Sequence, residues 1–238
     1  MYKNKSVSLI LPAYNEEKNL APALRDFISI NLFDEIIVVD NNSYDRTAKI
    51  AKRMKVKVIN EKKQGYGYAL KKGMAEARGD YIMLSEPDGT FRARDAFRLM
   101  RFTRDYDVVI GSRTNRIFIG KNANMRFFLR NGNYYLAKLI QLLYKTSSIS
   151  DCGCTYRVFR KKVINEILPN LRVGGSHFLP ETVINTTLLG YKIYELPVHY
   201  RKRVGDSKIT GSLLGSIKVG FNMLKLVFLL KFRYPLPN

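Results

Sequence analysis

The apolar run Tyr81-Ile82-Met83-Leu84 leads through Ser85 into an acidic turn, Glu86-Pro87-Asp88-Gly89. Two carboxylates two residues apart at a strand end can hold a divalent cation when the turn aims both at one point, directly or through water. A cation held there would act as a Lewis acid, bridging a diphosphate and neutralising its charge as it leaves. Gly89 lets the chain turn at once. Alone, the pattern says little, because Asp-Gly is common in surface turns. Its meaning depends on what other groups the fold brings to the same place.

The order of elements sets those neighbours. Val7 to Leu11 is a short apolar run closed by Pro12, and Glu35 to Val39 is another that ends at Asp40; both read as buried strands. Between them, Glu17 to Ile30 carries Leu20, Leu24 and Phe27 at helical spacing. A helix over Asp45 to Met54, a strand at Val56 to Ile59 and a helix after Gly65-Tyr66-Gly67 follow, then strands at Tyr81 to Leu84 and Asp107 to Gly111. Strands alternating with helices predict one α/β domain with a mostly parallel central sheet flanked by helices. In such sheets ligands sit beyond the carboxyl ends of the strands. That rule gathers Pro12, Ala13, Tyr14, Asn15 and Glu16, then Asp40 to Ser43, Glu86 to Asp88, and Ser112-Arg113 along one rim. Four polar clusters, each directly after an apolar strand, mark a binding site.

Composition limits what binds there. With 238 residues, 46% of them hydrophobic, the chain is long enough for one α/β core and short for two. Lys and Arg number 41 against 20 Asp and Glu, a formal +21, so the partner is polyanionic or lies on an anionic surface. Nucleic acid, an anionic membrane and phosphorylated substrates all fit that charge. The basic excess is spread along the chain and forms no nucleic-acid module, so nucleic acid is not expected. Cys152 and Cys154 flank a single glycine, where a disulfide would be strained, and read as small packing residues. His177 and His199 are too few and too far apart for a metal cluster. Met1 to Lys5 leads straight into a strand with no apolar leader, which predicts a cytoplasmic protein.

No apolar stretch reaches the roughly 18 to 20 residues that span a bilayer. Leu213 to Lys231 is broken by Lys218, Lys225 and Lys231; Lys218 and Lys225 share a face with Asn222, while Leu214, Ile217, Phe221, Leu224 and Phe228 lie on another. That describes a helix lying in a membrane interface, or one packed on the protein's own core. Arg116 to Lys145 interleaves Phe127-Phe128-Leu129 and Tyr134-Tyr135-Leu136 with Arg116, Lys121, Arg126, Arg130 and Lys138, a basic amphipathic pattern open to the same two readings. The expected division is a catalytic domain over residues 1–210 and an amphipathic C-terminal helix over 211–238.

Taken together, from about Val7 to Lys208, these motifs resemble glycosyltransferase family 2, above all the polyprenyl-phosphate sugar synthases. Leu11-Pro12-Ala13-Tyr14-Asn15-Glu16-Glu17 looks like that family's opening nucleotide-binding segment, and Val38-Val39-Asp40-Asn41-Asn42-Ser43 with Asp45-Arg46-Thr47 looks like its second. Gln64-Gly65-Tyr66-Gly67 and Ala77-Arg78-Gly79-Asp80 match the approach to the metal motif, for which Glu86-x-Asp88 stands here. Val109 to Arg113 resembles the next strand end, and Arg130-Asn131-Gly132-Asn133 a helical segment facing the acceptor. Ser150-Asp151 with Tyr156-Arg157 resembles an acidic and basic pair near the transferred sugar, and Pro180-Glu181 the helix before the last strand. Arg201 to Lys208 resembles a basic loop that closes on phosphates.

The resemblance implies a single Rossmann-like nucleotide-sugar-binding domain of the GT-A type. It also implies transfer of a hexose, with inversion, from a GDP- or UDP-sugar to a polyprenyl phosphate at the cytoplasmic face of a membrane. Pro12, Ala13, Tyr14, Glu16, Asp40, Asn42, Gln64, Glu86, Pro87, Asp88, Arg203 and Lys208 would bind the donor, and Glu86 with Asp88 would hold Mg²⁺ or Mn²⁺. Several phosphate charges in one cleft need neutralising, for which Arg113, Arg130, Arg157, Arg203 and Lys208 are the candidates. A phosphate acceptor is already anionic, so catalysis rests on positioning and charge stabilisation. A glycan hydroxyl acceptor, the alternative, needs a base, and Asp151 or Glu181 would serve. A non-enzymatic basic module at a membrane or on nucleic acid is the remaining alternative. Two departures stand out: Glu86 replaces the family's usual first Asp and is one methylene longer, and Thr90 stands where the mannose synthases tend to have Gln.

Overall fold

In a computed structural model, which describes residues 2–120, 123, 127–203 and 213–233, seven strands form one sheet in the order β3-β2-β1-β4-β6-β5-β7. The strands are β1 (Val7–Ala13), β2 (Glu35–Asp40), β3 (Lys57–Asn60), β4 (Tyr81–Leu84), β5 (Val108–Ser112), β6 (Arg157–Arg160) and β7 (Ile193–Pro197). The helices are α1 (Leu20–Ser29), α2 (Thr47–Arg53), α3 (Tyr66–Glu76), α4 (Asp95–Arg101), α5 (Phe127–Tyr144), α6 (Lys161–Ile167), α7 (Phe178–Leu188) and α8 (Leu213–Arg233). Every residue of β1 is buried, as a central strand covered by helices on both faces requires. Helix α1 buries Leu20, Ala23, Leu24 and Phe27, the stripe its helical spacing predicts.

Strand β1 runs through Pro12 instead of stopping before it. The β1–β4 ladder ends at Ile10 opposite Leu84, whereas β1–β2 pairing continues through Pro12 and Ala13. Pro12 therefore costs no ladder bond on the β4 side, where its missing N–H would otherwise be felt. Six of the strands reach the rim through parallel pairings: β1 with β2 and β4, β2 with β3, and β5 with β7.

The exception organises the site. Strand β6 is antiparallel to both β4 and β5, with Arg157 opposite Leu84 and Ile110. Its beginning therefore lies where β4 and β5 end, so the segment before it, Ser150 to Tyr156, is delivered to the rim between the acidic turn and Arg113. At the far end of the chain, α8 packs against α5 and α7 and buries Met223, Val227 and Leu230. The Tyr144 hydroxyl donates to Val227 O at 2.6 Å, and Lys231 Nζ donates to Leu143 O at 2.9 Å. Core packing is met on one face of this helix, while Ile217, Phe221, Leu224, Phe228 and Phe232 are exposed on the other. No helix among the described residues is long and apolar enough to cross a membrane.

Candidate active site

The loops after β1 and β2 are joined by backbone-to-side-chain bonds. Asn15 N donates to Ser43 Oγ, Glu16 N to Thr47 Oγ1 and Glu17 N to Asp45 Oδ2, at 3.0, 2.8 and 3.1 Å. Asp40 accepts from Ser43 N at 3.2 Å, which sets the turn that carries Asn42 outward into solvent. Asn41, inside the second motif, ties in a third loop: its Nδ2 donates to Glu61 O and Lys63 O, and its Oδ1 accepts from Gly65 N. Gln64 is exposed at the tip of that loop. Tyr14 meets the exposed ring of Tyr44 edge-on, with centroids 6.3 Å apart. This end of the rim thus offers aromatic and amide groups on loops that hold one another in place.

At the end of β4 the acidic turn folds on itself. Gly89 has φ of +75°, a left-handed conformation that favours glycine. Asp88 is buried, and its Oδ1 accepts from both Thr90 N at 3.0 Å and Thr90 Oγ1 at 2.6 Å. Thr90 thus aims Asp88 rather than supplying a further ligand. The other oxygen, Oδ2, has no hydrogen-bond partner among the described residues, and Arg203 Nε stands 3.4 Å from it. Arg203 Nη2 also donates to Glu16 Oε1 at 2.7 Å. Glu86 accepts from Thr155 Oγ1 at 2.6 Å. Burial first, and then the Asp88 charge, push the Glu86 carboxyl up to about 7. Burial works against the charge on Arg203, but Asp88, Glu16 and Glu86 outweigh it and raise its pKa.

The acid pair suits a divalent cation. Two carboxylates crowd one another, one buried oxygen lacks a hydrogen bond, and a cation would relieve both conditions. Among the described residues no three His, Cys, Asp or Glu side chains form a metal cluster. Glu86 and Asp88 could therefore supply one or two ligands and leave the rest to phosphate and water, the habit of Mg²⁺ in nucleotide sites.

Across the rim, Arg113 forms a fork with Asp151: Nε to Oδ2 at 2.8 Å and Nη2 to Oδ1 at 2.9 Å, with Arg113 N also on Oδ2 at 3.0 Å. Asp151 is fully buried and also accepts from Gly153 N. The acid beneath it, Glu195, was not foreseen from the sequence. Glu195 of β7 accepts from Ser150 N, Ser150 Oγ and Asp151 N, clamping the segment that carries Asp151. An acid within the strand-like Ile193-Tyr194-Glu195-Leu196 was the available signal. Tyr200, also unforeseen, packs between the two halves: the Arg113 guanidinium lies 5.4 Å from its ring centre, and Phe91 packs on the ring. His199 next to it is structural: its N donates to Asp95 Oδ2 at 2.6 Å, and its Nδ1 lies 3.0 Å from the same carboxylate.

Three expectations need correction. The acidic and basic pair is Asp151 with Arg113, not Asp151 with Arg157. Arg157 is fully buried, and its guanidinium donates to Cys152 O, Cys154 O, Leu179 O and Thr182 Oγ1. Those bonds engage all three nitrogens of the group and leave it facing protein, so it braces the loop before β6 against α7 rather than neutralising phosphate. Glu181 is also buried, one oxygen accepting from Arg172 N at 2.8 Å and the other from Val173 N at 3.0 Å. It holds the loop whose Gly174 O accepts from Gly67 N, and so steadies the start of α3. Arg130 lies half-buried in α5 and makes no ion pair with these acids among the described residues. Lys208 falls outside the described residues.

The sequence profile of glycosyl transferase family 2 matches residues 8–168, from the start of β1 through α6. Over 226 residues the chain is 28% identical to a dolichyl-phosphate hexose transferase of Haloferax volcanii, covering 94% of this chain and 95% of that one. Over 253 residues it is 27% identical to a dolichyl-phosphate beta-glucosyltransferase of Dictyostelium discoideum, covering 97% and 75%. Its fold matches glucosyl-3-phosphoglycerate synthase of Mycobacterium tuberculosis, solved with Mn²⁺, UDP and glucosyl-3-phosphoglycerate, with a TM-score of 0.75 over 99% of this chain and 82% of that one at 16% identity. Because the matched segment carries both the linked loops and the acidic turn, the chain belongs to glycosyl transferase family 2 and is a glycosyltransferase.

Proposed function

We propose that this glycosyltransferase moves a hexose, with inversion, from a nucleotide-diphosphate sugar to a polyprenyl phosphate at the cytoplasmic face of a membrane. The observation that carries the reading is the clamp of Glu16, Asp88 and Arg203, in which one guanidinium and two carboxylates from three loops meet beside Glu86. A diphosphate placed there would meet Arg203 directly. In this reading Pro12, Ala13, Tyr14, Asp40, Asn42 and Gln64 line the nucleoside end, and Pro87 holds the two acids apart. Glu86 and Asp88 hold Mg²⁺ or Mn²⁺, whose chemistry when bound is to offset the charge of the departing diphosphate. Arg113, fixed by Asp151, presents its charge toward the acceptor side, where Arg130 adds to it; Lys208, outside the described residues, is kept as a donor-binding candidate.

The lipid acceptor is supported by the dolichyl-phosphate relatives and by the state of the candidate bases. Asp151 is spent on Arg113, and Glu181 on two backbone N–H groups. An acceptor that is already anionic needs neither. The exposed apolar face of α8, flanked by the exposed Lys218 and Lys225, supports attachment to an anionic membrane, with residues 1–210 as the catalytic unit and 211–238 as the attaching one.

Incubation with radiolabelled UDP- and GDP-hexoses, Mn²⁺ or Mg²⁺ and a polyprenyl phosphate should carry label into an organic extract with one nucleotide class. Label that remains in water for every donor while a glycan acceptor is glycosylated would replace this reading with the hydroxyl-acceptor one.

A further inference from the structure

Glu86 is one methylene longer than an aspartate, so its carboxylate sweeps a wider volume and has one more torsion to fix. In this chain the surplus length is taken up by a chain of hydroxyls. Thr155 Oγ1 donates to Glu86 Oε1 at 2.6 Å, and Tyr66 OH lies 2.5 Å from Thr155 Oγ1. The direction follows from the inventory of protons: a threonine hydroxyl has one, and when Glu86 is ionised that proton is spent on it, so Tyr66 must donate to Thr155. Burial first, and then the Glu86 charge, hold the Tyr66 hydroxyl well above its ordinary value, so it keeps its proton.

Each member is itself fixed. Thr155 is buried in the segment that antiparallel β6 brings to the rim. Tyr66 opens α3, whose first turn is tied to the loop before α7 by Gly67 N donating to Gly174 O at 2.9 Å. A Cβ on Gly67 would lie 2.6 Å from Val173 O, so this close approach needs glycine. One carboxylate oxygen of Glu86 is therefore drawn back to Thr155.

We infer that Thr155 and Tyr66 are positioning residues that hold Glu86 as a cation ligand beside Asp88 and let a glutamate do the work of the shorter acid. The inference rests on the metal-binding reading of the acid pair. Outer-sphere hydrogen bonds of this kind set ligand direction, and their loss costs about 10- to 100-fold in metal affinity.

The test is titration of the whole chain with Mn²⁺ alone, with free ion read by electron paramagnetic resonance, and again with UDP and with GDP present. Thr155→Val should weaken Mn²⁺ binding about 10-fold and Tyr66→Phe by a smaller factor, while Thr155→Ser, which keeps the hydroxyl, stays within about twofold of the parent. In a Glu86→Asp background the shorter side chain no longer reaches Thr155, so adding Thr155→Val should cost little more, a non-additivity that general loosening of the fold would not produce. If Thr155→Val binds Mn²⁺ like the parent while Glu86→Ala and Asp88→Ala bind it weakly, the positioning role is wrong and the metal site stands. If neither Glu86→Ala nor Asp88→Ala changes Mn²⁺ binding, the metal site itself is wrong and the inference falls with it.

Discussion

Arg203 lies with its guanidinium Nε 3.4 Å from Asp88 Oδ2, a buried carboxylate oxygen of the acidic turn that has no hydrogen bond among the described residues. Arg203 comes from the segment after β7 and Asp88 from the end of β4, so a contact across 115 positions of sequence completes the charge balance of the site. Its other donor contact, to Glu16 at 2.7 Å, joins the loop after β1. The guanidinium thus occupies a position between carboxylates that otherwise calls for a cation.

Removing that charge should therefore matter most when no metal is present. Arg203→Ala leaves Glu16, Glu86 and Asp88 facing one another, a loss of about 1–3 kcal/mol for a charged hydrogen-bonding partner. For a chain of this size that is a fall in Tm of about 3–10 °C. Saturating Mn²⁺ should shrink the difference from the parent, because the ion restores the missing positive charge. Thermal melts of both proteins in EDTA and in Mn²⁺ decide it; a difference unaltered by the ion would mean that Arg203 does not share the acids' site.

The raised carboxyl of Glu86 fixes the sign of a pH effect. Its pKa in the folded chain is about 7 against an ordinary 4.5, so between those values the folded state holds more protons than the unfolded one. Metal-free stability must then fall as pH rises from 5 to 7 and level off above, by about 1–3 kcal/mol. Glu86→Gln, which has no proton to lose, should flatten that part of the profile. Urea unfolding in EDTA at pH 5, 6, 7 and 8 measures it, and the difference between parent and variant isolates Glu86 from Glu181 and Glu195, whose pKa values burial also raises. Parallel profiles would show that Glu86 does not titrate in this range.

The parts of this site that the sequence made legible share a physical cause. Strands β1, β2, β4 and β5 are apolar runs because both sheet faces are covered, and each is followed at once by polar residues because the rim is wet. Asp88, Glu16 and Arg113 could be found that way. Strand β6 could not, since Arg157-Val158-Phe159-Arg160 is four residues long with a cation at each end, and its place in the sheet depends on β4 and β5. With β6 hidden, nothing linked Thr155 to Glu86 or separated Arg157 from the phosphate-binding arginines. A guanidinium in a sequence looks the same whether it ends among carbonyls or in solvent.

That distinction is testable at Arg157 itself. Arg157→Met keeps much of the volume but strands the buried carbonyls of Cys152 and Cys154 and takes one donor from Leu179 O and Thr182 Oγ1, which keep their bond to each other. Stability should fall by about 3 kcal/mol or more, seen as a lower urea midpoint at unchanged slope. The fraction that stays folded should bind nucleotide-sugar with KM within about twofold of the parent. A KM raised 10-fold at full stability would return Arg157 to the phosphate-binding set.

The exposed face of α8 leads to a prediction that separates attachment from catalysis. Phe221 and Phe232 are 67% and 82% exposed, whereas Met223, Val227 and Leu230 on the opposite face are buried against the core. Changing the first two to serine should therefore change Tm little, since both side chains stay mostly in water in the folded chain. At an anionic vesicle each ring would leave water, and burying a phenylalanine side chain is worth about 1.5–3 kcal/mol. Partial insertion of two rings then predicts a loss of vesicle affinity of about 10- to 100-fold for Phe221→Ser with Phe232→Ser, read by co-sedimentation with phosphatidylserine-containing vesicles. Lys218→Gln with Lys225→Gln should weaken binding to the same vesicles but not to uncharged ones, and raised salt should mimic that pair alone. Turnover of a short, water-soluble isoprenyl phosphate should be spared in both doubles, because the substituted side chains lie on the exposed face of α8 and not on the face that packs against α5 and α7. Equal loss of turnover with soluble and membrane-borne acceptor would instead assign this face to catalysis.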